Sequence, residues 1–124
     1  MFYNSRRFEM GLDCFWYEQN RTERASVDGD FSLCGGMLSG VGNDSFRGKV
    51  YNDLVELATG VTLYQEWIDN ETISAMADAL EAFDFSIYTE DATCTWQIRP
   101  EEFQDLKTIF RVHADAGNVL HGWW

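Results

Sequence analysis

Proline occurs once in this chain of 124 residues, histidine twice and cysteine three times, and each scarcity excludes something. With one proline, no repeat and no low-complexity stretch, there is no linker, and the length corresponds to one domain. The cysteines Cys14, Cys34 and Cys94 are odd in number and lack any C-x-x-C or zinc-like spacing. Neither a disulfide framework nor a structural metal is expected, and the thiols read as reduced, mostly buried small hydrophobes of a cytoplasmic protein. No run approaches the roughly 18 consecutive apolar residues of a spanning helix. The first seven residues, Met1 to Arg7, lack the apolar stretch of a signal peptide, so a soluble, non-exported protein with no membrane partner is expected.

Positive charge is the other absence. From Val50 through Ile98 there is no Lys or Arg, whereas Asp53, Glu56, Glu66, Asp69, Glu71, Asp78, Glu81, Asp84, Glu90 and Asp91 are all acidic. The net charge of −12 repels phosphates and anionic lipid, which disfavours nucleic acid as a partner and steers basic proteins or cations toward the chain.

What is abundant is apolar and aromatic: 45% of residues are hydrophobic, with nine Phe, five Trp and five Tyr, enough for a real core. The stretch from Asp28 to Gly60 carries the strongest punctuation, with turn, apolar run, glycine-rich loop and helix in succession. Phe8, Met10, Leu12, Cys14 and Trp16 alternate with other residues, predicting a first strand over 7–17. Its end, Phe15-Trp16-Tyr17, puts aromatics on both faces, so the second face is either covered or a contact surface. A polar loop follows over 18–29 and ends in the turn dipeptide Asp28-Gly29. Residues 31–38 read as a second strand, with Gly35-Gly36 suggesting a bulge or close approach.

Asn43, Asp44 or Ser45 can cap a helix over 46–59, in which Phe46, Val50, Leu54 and Leu57 fall within an arc of about 80° and Gly60 provides the stop. Gly48 within it implies close packing. Val61 to Ile68 fits either a short strand or a connector. A second helix is predicted over 71–83, capped by Asp69 or Asn70, with Ile73, Met76, Ala77, Leu80 and Phe83 on its core face. Residues 85–88 and 93–98 read as strands. A third helix opens at Arg99-Pro100, buries Phe103, Leu106, Ile109, Phe110, His113 and Ala114, and ends at Gly117, before a last strand over 119–124. The expected fold is α+β, an antiparallel or mixed sheet of four to five strands against three helices.

Chemistry-bearing motifs are weak. Ser39 to Lys49 leaves a strand and opens a helix, yet its glycine spacing fits neither a Walker-type loop nor the G-x-G-x-x-G pattern. What remains is a helix start at which Asn43, Ser45 and Arg47 could hold an anion. Cys34 with His121 is the only cysteine–histidine pairing to weigh, and no acidic orienter accompanies it; His113, on an apolar helix face, reads as a core histidine. Asp28-Gly29-Asp30 is too short for an EF-hand loop. No catalytic residue, metal ligand or cofactor is therefore expected. Small acidic chains of this kind are typical of accessory genes on mobile cassettes or phages.

Two binding expectations remain. One is a surface for a basic protein partner or for self-association, using Glu66, Glu71, Asp78, Glu81 and the terminal Trp124. The other is a small-molecule binder or enzyme with an aromatic-lined pocket between sheet and helices, Trp16, Tyr51, Trp96 and Trp123 as its walls. The two C-terminal tryptophans either dock on the domain or join a contact, because leaving their area in water forfeits about 25 cal/mol per Å².

Overall fold

Leu12, Cys14, Trp16, Phe46 and Leu120 come together from three separate parts of the chain to make the floor of the core. The computed structural model describes residues 11–34, 43–91, 93–94 and 96–124. Its elements run β1 (Asp13–Tyr17), β2 (Ser45–Arg47), α1 (Gly48–Thr59), β3 (Trp67–Ile68), α2 (Asn70–Ala82), α3 (Phe85–Glu90), α4 (Pro100–Asp115) and β4 (Val119–Trp123). The four strands form one antiparallel sheet in the order β2-β1-β4-β3. The α+β class is as the patterning predicts, with four helices among the described residues in place of three.

Register explains which side chains enter the core. Cys14 stands across from Phe46 on one side and Gly122 on the other, and Trp16 from Leu120. Directly opposed residues share a face, so these point into the core, where Trp16 packs edge-on to Phe110 at 5.1 Å. The opposite face carries Asp13, Phe15 and Tyr17. There the Arg24 guanidinium lies 4.4 Å from the Phe15 ring centroid, and Arg21 lies 5.1 Å from that of Trp67. The aromatic second face anticipated from Phe15-Trp16-Tyr17 is thus overlaid by arginines of the 18–25 loop, and Arg24 is fixed in turn by Asp44 at 3.1 Å.

The helices follow from their apolar stripes and caps. In α2, Ile73, Met76, Ala77 and Leu80 are buried, and the Asp69 carboxylate accepts from the Thr72 amide. In α4, Phe103, Leu106, Ile109, Phe110, His113 and Ala114 are buried, Pro100 opens the first turn, and Gly117 leaves the last one at φ 80°. Gly60 closes α1 in the left-handed conformation.

Several expectations are corrected. The first helix begins at Gly48, not Phe46, because Ser45–Arg47 pair with β1; Arg47, in place of Asn43, Asp44 or Ser45, occupies the cap position, without a side-chain capping bond. The buried stripe of α1 is Tyr51, Leu54 and Val55, and Leu57 is left 39% exposed. The strand predicted over 85–88 is the helix α3, capped by Asp84 through the Ser86 amide and hydroxyl. The described residues of 93–98 join no sheet. Of the second predicted strand, residues 31–34 are irregular. The Ser32 amide donates to Asp105, the Cys34 amide to the Tyr51 hydroxyl, and the Cys34 carbonyl accepts from the Arg47 amide, so this backbone is satisfied outside any strand pair. Residues 7–10 of the first predicted strand, 35–38 of the second and the 39–42 loop lie outside the described residues.

Two glycines are fixed by close approach. A Cβ at Gly48 would lie 2.6 Å from Cys14 Sγ, and one at Gly122 would lie 2.4 Å from the Gln65 carbonyl oxygen. The second neighbour is backbone and cannot rotate away. Gly122→Ala is expected to destabilise the fold by about 2 kcal/mol, read as a lower denaturation midpoint at unchanged m-value; a variant within about 0.5 kcal/mol of the parent would contradict this packing.

Candidate functional site

The exposed Leu57 marks one wall of an open, polar groove. Together with Asp53 and Glu56 from the same helix and Asp91, Thr93 and Cys94 from the segment after α3, it lines a groove of about 290 Å³. Asp91 and Cys94 also border a second groove, of about 570 Å³, whose walls include Tyr88, Trp96, Ile98 and Arg99. The two adjoin at Asp91 and Cys94 and together make a furrow along α1, α3 and the described residues of 91–99. Its geometry is built locally. The buried Tyr88 donates its hydroxyl proton to the Trp96 carbonyl, pinning the segment to α3. The Asp91 carboxylate accepts from the Thr93 hydroxyl at 2.6 Å and amide at 2.8 Å, closing a tight turn.

These contacts set the protonation states. The bonds from Thr93, side chain first, hold the Asp91 carboxyl below its usual range, so it stays anionic at neutral pH. Burial, reinforced by the Asp91 and Asp53 charges, pushes the Cys94 thiol up, which keeps it protonated and weakly nucleophilic. Tyr88 is pushed up to about 12, chiefly by burial and then by Cys94, Asp53 and Glu102. The furrow offers carboxylates beside an indole that is 40% exposed: it can attract and seat cationic groups.

The residues expected to wall a single pocket are not brought together. Trp96 lines the furrow, but Trp16 and Tyr51 are wholly buried core residues, and Trp123 stands on β4 beside a different cavity with Trp124. Strand register turns Trp16 into the core, and Tyr51 lies on the buried face of α1, where its hydroxyl meets Glu102 and the Cys34 amide. Of the acidic surface, Glu66 and Glu71 are exposed. Asp78 and Glu81 are engaged within the chain: Arg111 of α4 binds both, the Glu81 carboxylate bidentately at 2.9 and 3.0 Å, and tethers α2 to α4. These bonds lower the Glu81 carboxyl and raise Arg111. Trp124 is 47% exposed, with its ring edge-on to Tyr64 at 5.7 Å.

The anion-binding helix start is not assembled by its named residues. Asn43 donates its side-chain amide to the Val27 carbonyl, Ser45 is buried in β2, and Arg47 lies 3.9 Å from Asp13. The Lys49 amide, in the first turn of α1, is already bonded to the Leu12 carbonyl. Cys34 and His121 are likewise separated, the first held against Tyr51 on the helix side and the second packed against Trp67 and Tyr17 on the far face of the sheet. Among the described residues no group of three or more His, Cys, Asp or Glu is placed to hold a metal ion, and no helix is long and apolar enough to cross a membrane.

Two buried polar networks escape sequence reasoning. His113 is fully buried and stacked on Trp16 at 4.2 Å with rings 5° from parallel. Its Nε2 lies 3.1 Å from the Asn43 carbonyl, and its Nδ1 lies 2.8 Å from the Asn118 side-chain nitrogen. A carbonyl can only accept and an amide nitrogen only donates, so the ring is neutral and carries its proton on Nε2. The Asn118 carbonyl accepts from Asn70 at the start of α2, extending the chain of bonds. In the second network Tyr51 donates to Glu102 at 2.8 Å, and Glu102 also accepts from Arg99 at 3.0 Å. Burial works to raise the Glu102 carboxyl, but the bonds from Arg99 and Tyr51 outweigh it and bring it below its ordinary value. The apolar-face placement of His113 was the one signal in the sequence, and it points to the core histidine found. The Tyr51–Glu102 pair has no local signature, because its members are 51 positions apart. No protein-family model, characterised protein or solved structure significantly matches the chain.

Burial lowers His113 from 6.5 to about 4, against the opposing effects of the Asn43 carbonyl and Asp44. The folded state thus binds fewer protons than the unfolded state between those values. The stability this contributes is complete above pH 6.5 and is lost as pH falls toward 4. Lowering pH from 7 to 4.5 should cost about 2–3 kcal/mol through this one group. His113→Gln should be less stable at pH 7 yet lose that part of the slope; urea titrations across the range that show the slope unchanged would assign it elsewhere.

Proposed function

We propose that this chain is a non-catalytic binding protein whose α1–α3 furrow receives a basic segment of a protein partner. The observation that carries the reading is the convergence of Asp53, Glu56 and Asp91 on one groove with the exposed Leu57, beside the groove that Asp91 shares with the half-exposed Trp96. Carboxylates supply long-range steering and pair with Lys or Arg at the rim; the indole and leucine supply an apolar anchor at the centre. Between Val50 and Ile98 the chain carries no Lys or Arg, so the basic residues nearest this field in sequence are Lys49, at the start of α1, and Arg99, at the end of the 91–99 segment. The histidines support a binding role over catalysis: His113 is bonded through both ring nitrogens, and His121 packs among aromatic rings.

A second reading rests on the size of the larger groove, about 570 Å³, which is within the range that seats small organic ligands. A metabolite-dependent rise in melting temperature that Trp96→Ala abolishes would favour it.

Association with an arginine-rich dodecapeptide tests the first reading. Its on-rate should fall about ten-fold between roughly 0.05 and 0.3 M salt. Trp96→Ala should accelerate dissociation, and the combined Asp53→Asn, Glu56→Gln and Asp91→Asn variant should slow association with the fold intact. Binding that is insensitive to salt and to all four substitutions would rule the furrow out.

A further inference from the structure

A peptide segment docks on a protein as a strand, a helix or a polyproline II stretch, and the furrow suits the last of these. A strand adds to a free sheet edge, but the furrow runs along α1, α3 and the residues after it, with no strand among its described residues. An amphipathic helix needs an apolar trough several turns long. Here the exposed apolar groups are divided, Trp96 and Pro100 in the larger groove and Leu57 in the smaller, with the Asp91 carboxylate bordering both. Polyproline II differs from both: its carbonyls bond to nothing within their own chain, and its rings pack on exposed aromatic faces.

The wall around Trp96 supplies what that backbone lacks. Trp96, Gln97, Arg99 and Pro100 are all exposed and line the larger groove. Ile98 between them is buried, and the Tyr88 hydroxyl holds the Trp96 carbonyl, so the exposed side chains stand on an anchored segment. The Trp96 indole, the Gln97 amide and the Arg99 guanidinium are N–H donors, suited to carbonyls that have no partner of their own. Arg99 binds Glu102 through Nε at 3.0 Å, and that bond leaves its other guanidinium N–H groups on a side chain that is 64% exposed. Charge sets the direction. Asp53 and Glu56 line the smaller groove and Arg99 the larger one, so a Lys or Arg of the partner is drawn to the first and repelled by the second.

We propose that the furrow binds a proline-rich segment in the polyproline II form. Its prolines pack against Trp96 and Pro100, its carbonyls accept from Trp96, Gln97 and Arg99, and a flanking Lys or Arg meets Asp53, Glu56 and Asp91. The assignment rests on the furrow as the binding site and narrows the partner from any basic segment to one conformational class.

The test uses the ¹⁵N-labelled protein and three dodecapeptides that share a pair of arginines at one end and continue as a proline-rich, an alanine-rich or a glycine–serine stretch. Proline holds φ at about −65°, so the first peptide has less conformational freedom to lose on binding. It should saturate the shift of the Trp96 indole N–H at a concentration about ten-fold or more below that needed by the other two. Trp96→Ala changes an exposed side chain and leaves the Tyr88 bond to the main chain in place. It should erase the preference, read from the Gln97 amide, with the remaining indole resonances reporting an intact fold. Equal affinities in the parent protein, or a preference for the alanine-rich peptide, with Trp96 responding, would overturn the polyproline proposal and leave the basic-segment reading standing. No response of Trp96 to any of the peptides up to about 1 mM would overturn both.

Discussion

A neutral imidazole inside the core holds this fold together. Through its two nitrogens His113 joins the backbone ahead of β2 to the turn that feeds β4, and through its face it supports Trp16 at the centre of β1. Each contact needs the uncharged ring: protonation would put a second N–H against the Asn118 amide and a charge on a side chain closed off from solvent. Asn118 passes the constraint to Asn70, which also donates to the Ala114 carbonyl, so the end of α4 and the start of α2 are set by the same group. Buried polar chains of this kind specify one arrangement when every member is satisfied.

That rigidity determines where chemistry is possible. With His113 committed to the frame, Cys14 driven upward by burial and then by Asp13, and Tyr51 raised by burial with Glu102 adding to it, these three side chains of the interior are held in their protonated or neutral forms. What the surface presents is charge and aromatic area. Carboxylates gather along α1 and the segment after α3, and indoles emerge at Trp96, Trp123 and Trp124. Such a surface suits cations and apolar anchors, the chemistry on which the proposed binding role rests.

Much of this architecture was legible in the sequence, for a physical reason. Long helices such as α2 and α4 repeat their apolar stripe over three or four turns, and Asp69, Pro100 and Gly117 punctuate them with groups whose preferences are local. Short elements carry too few residues for a period. Phe46 continued the apolar arc of α1 and concealed the three-residue β2; Phe85 and Ile87 alternated like a strand, while the Asp84 cap was the signal that favoured α3. The site was less legible than the fold because it is made by tertiary approach. Asp53 and Asp91 meet across a groove, and Trp16 and Tyr51, large aromatics that suggested a pocket, went to the core.

The measurement closest to the centre of this account is the titration of the His113 ring itself, by ¹⁵N chemical shifts of the folded protein. A neutral ring protonated on Nε2 and titrating near pH 4 is the predicted result. Titration near 6.5, or the other tautomer, would contradict the account: the ring would not be locked between Asn43 and Asn118, and a histidine free for acid–base work would reopen the case for catalysis.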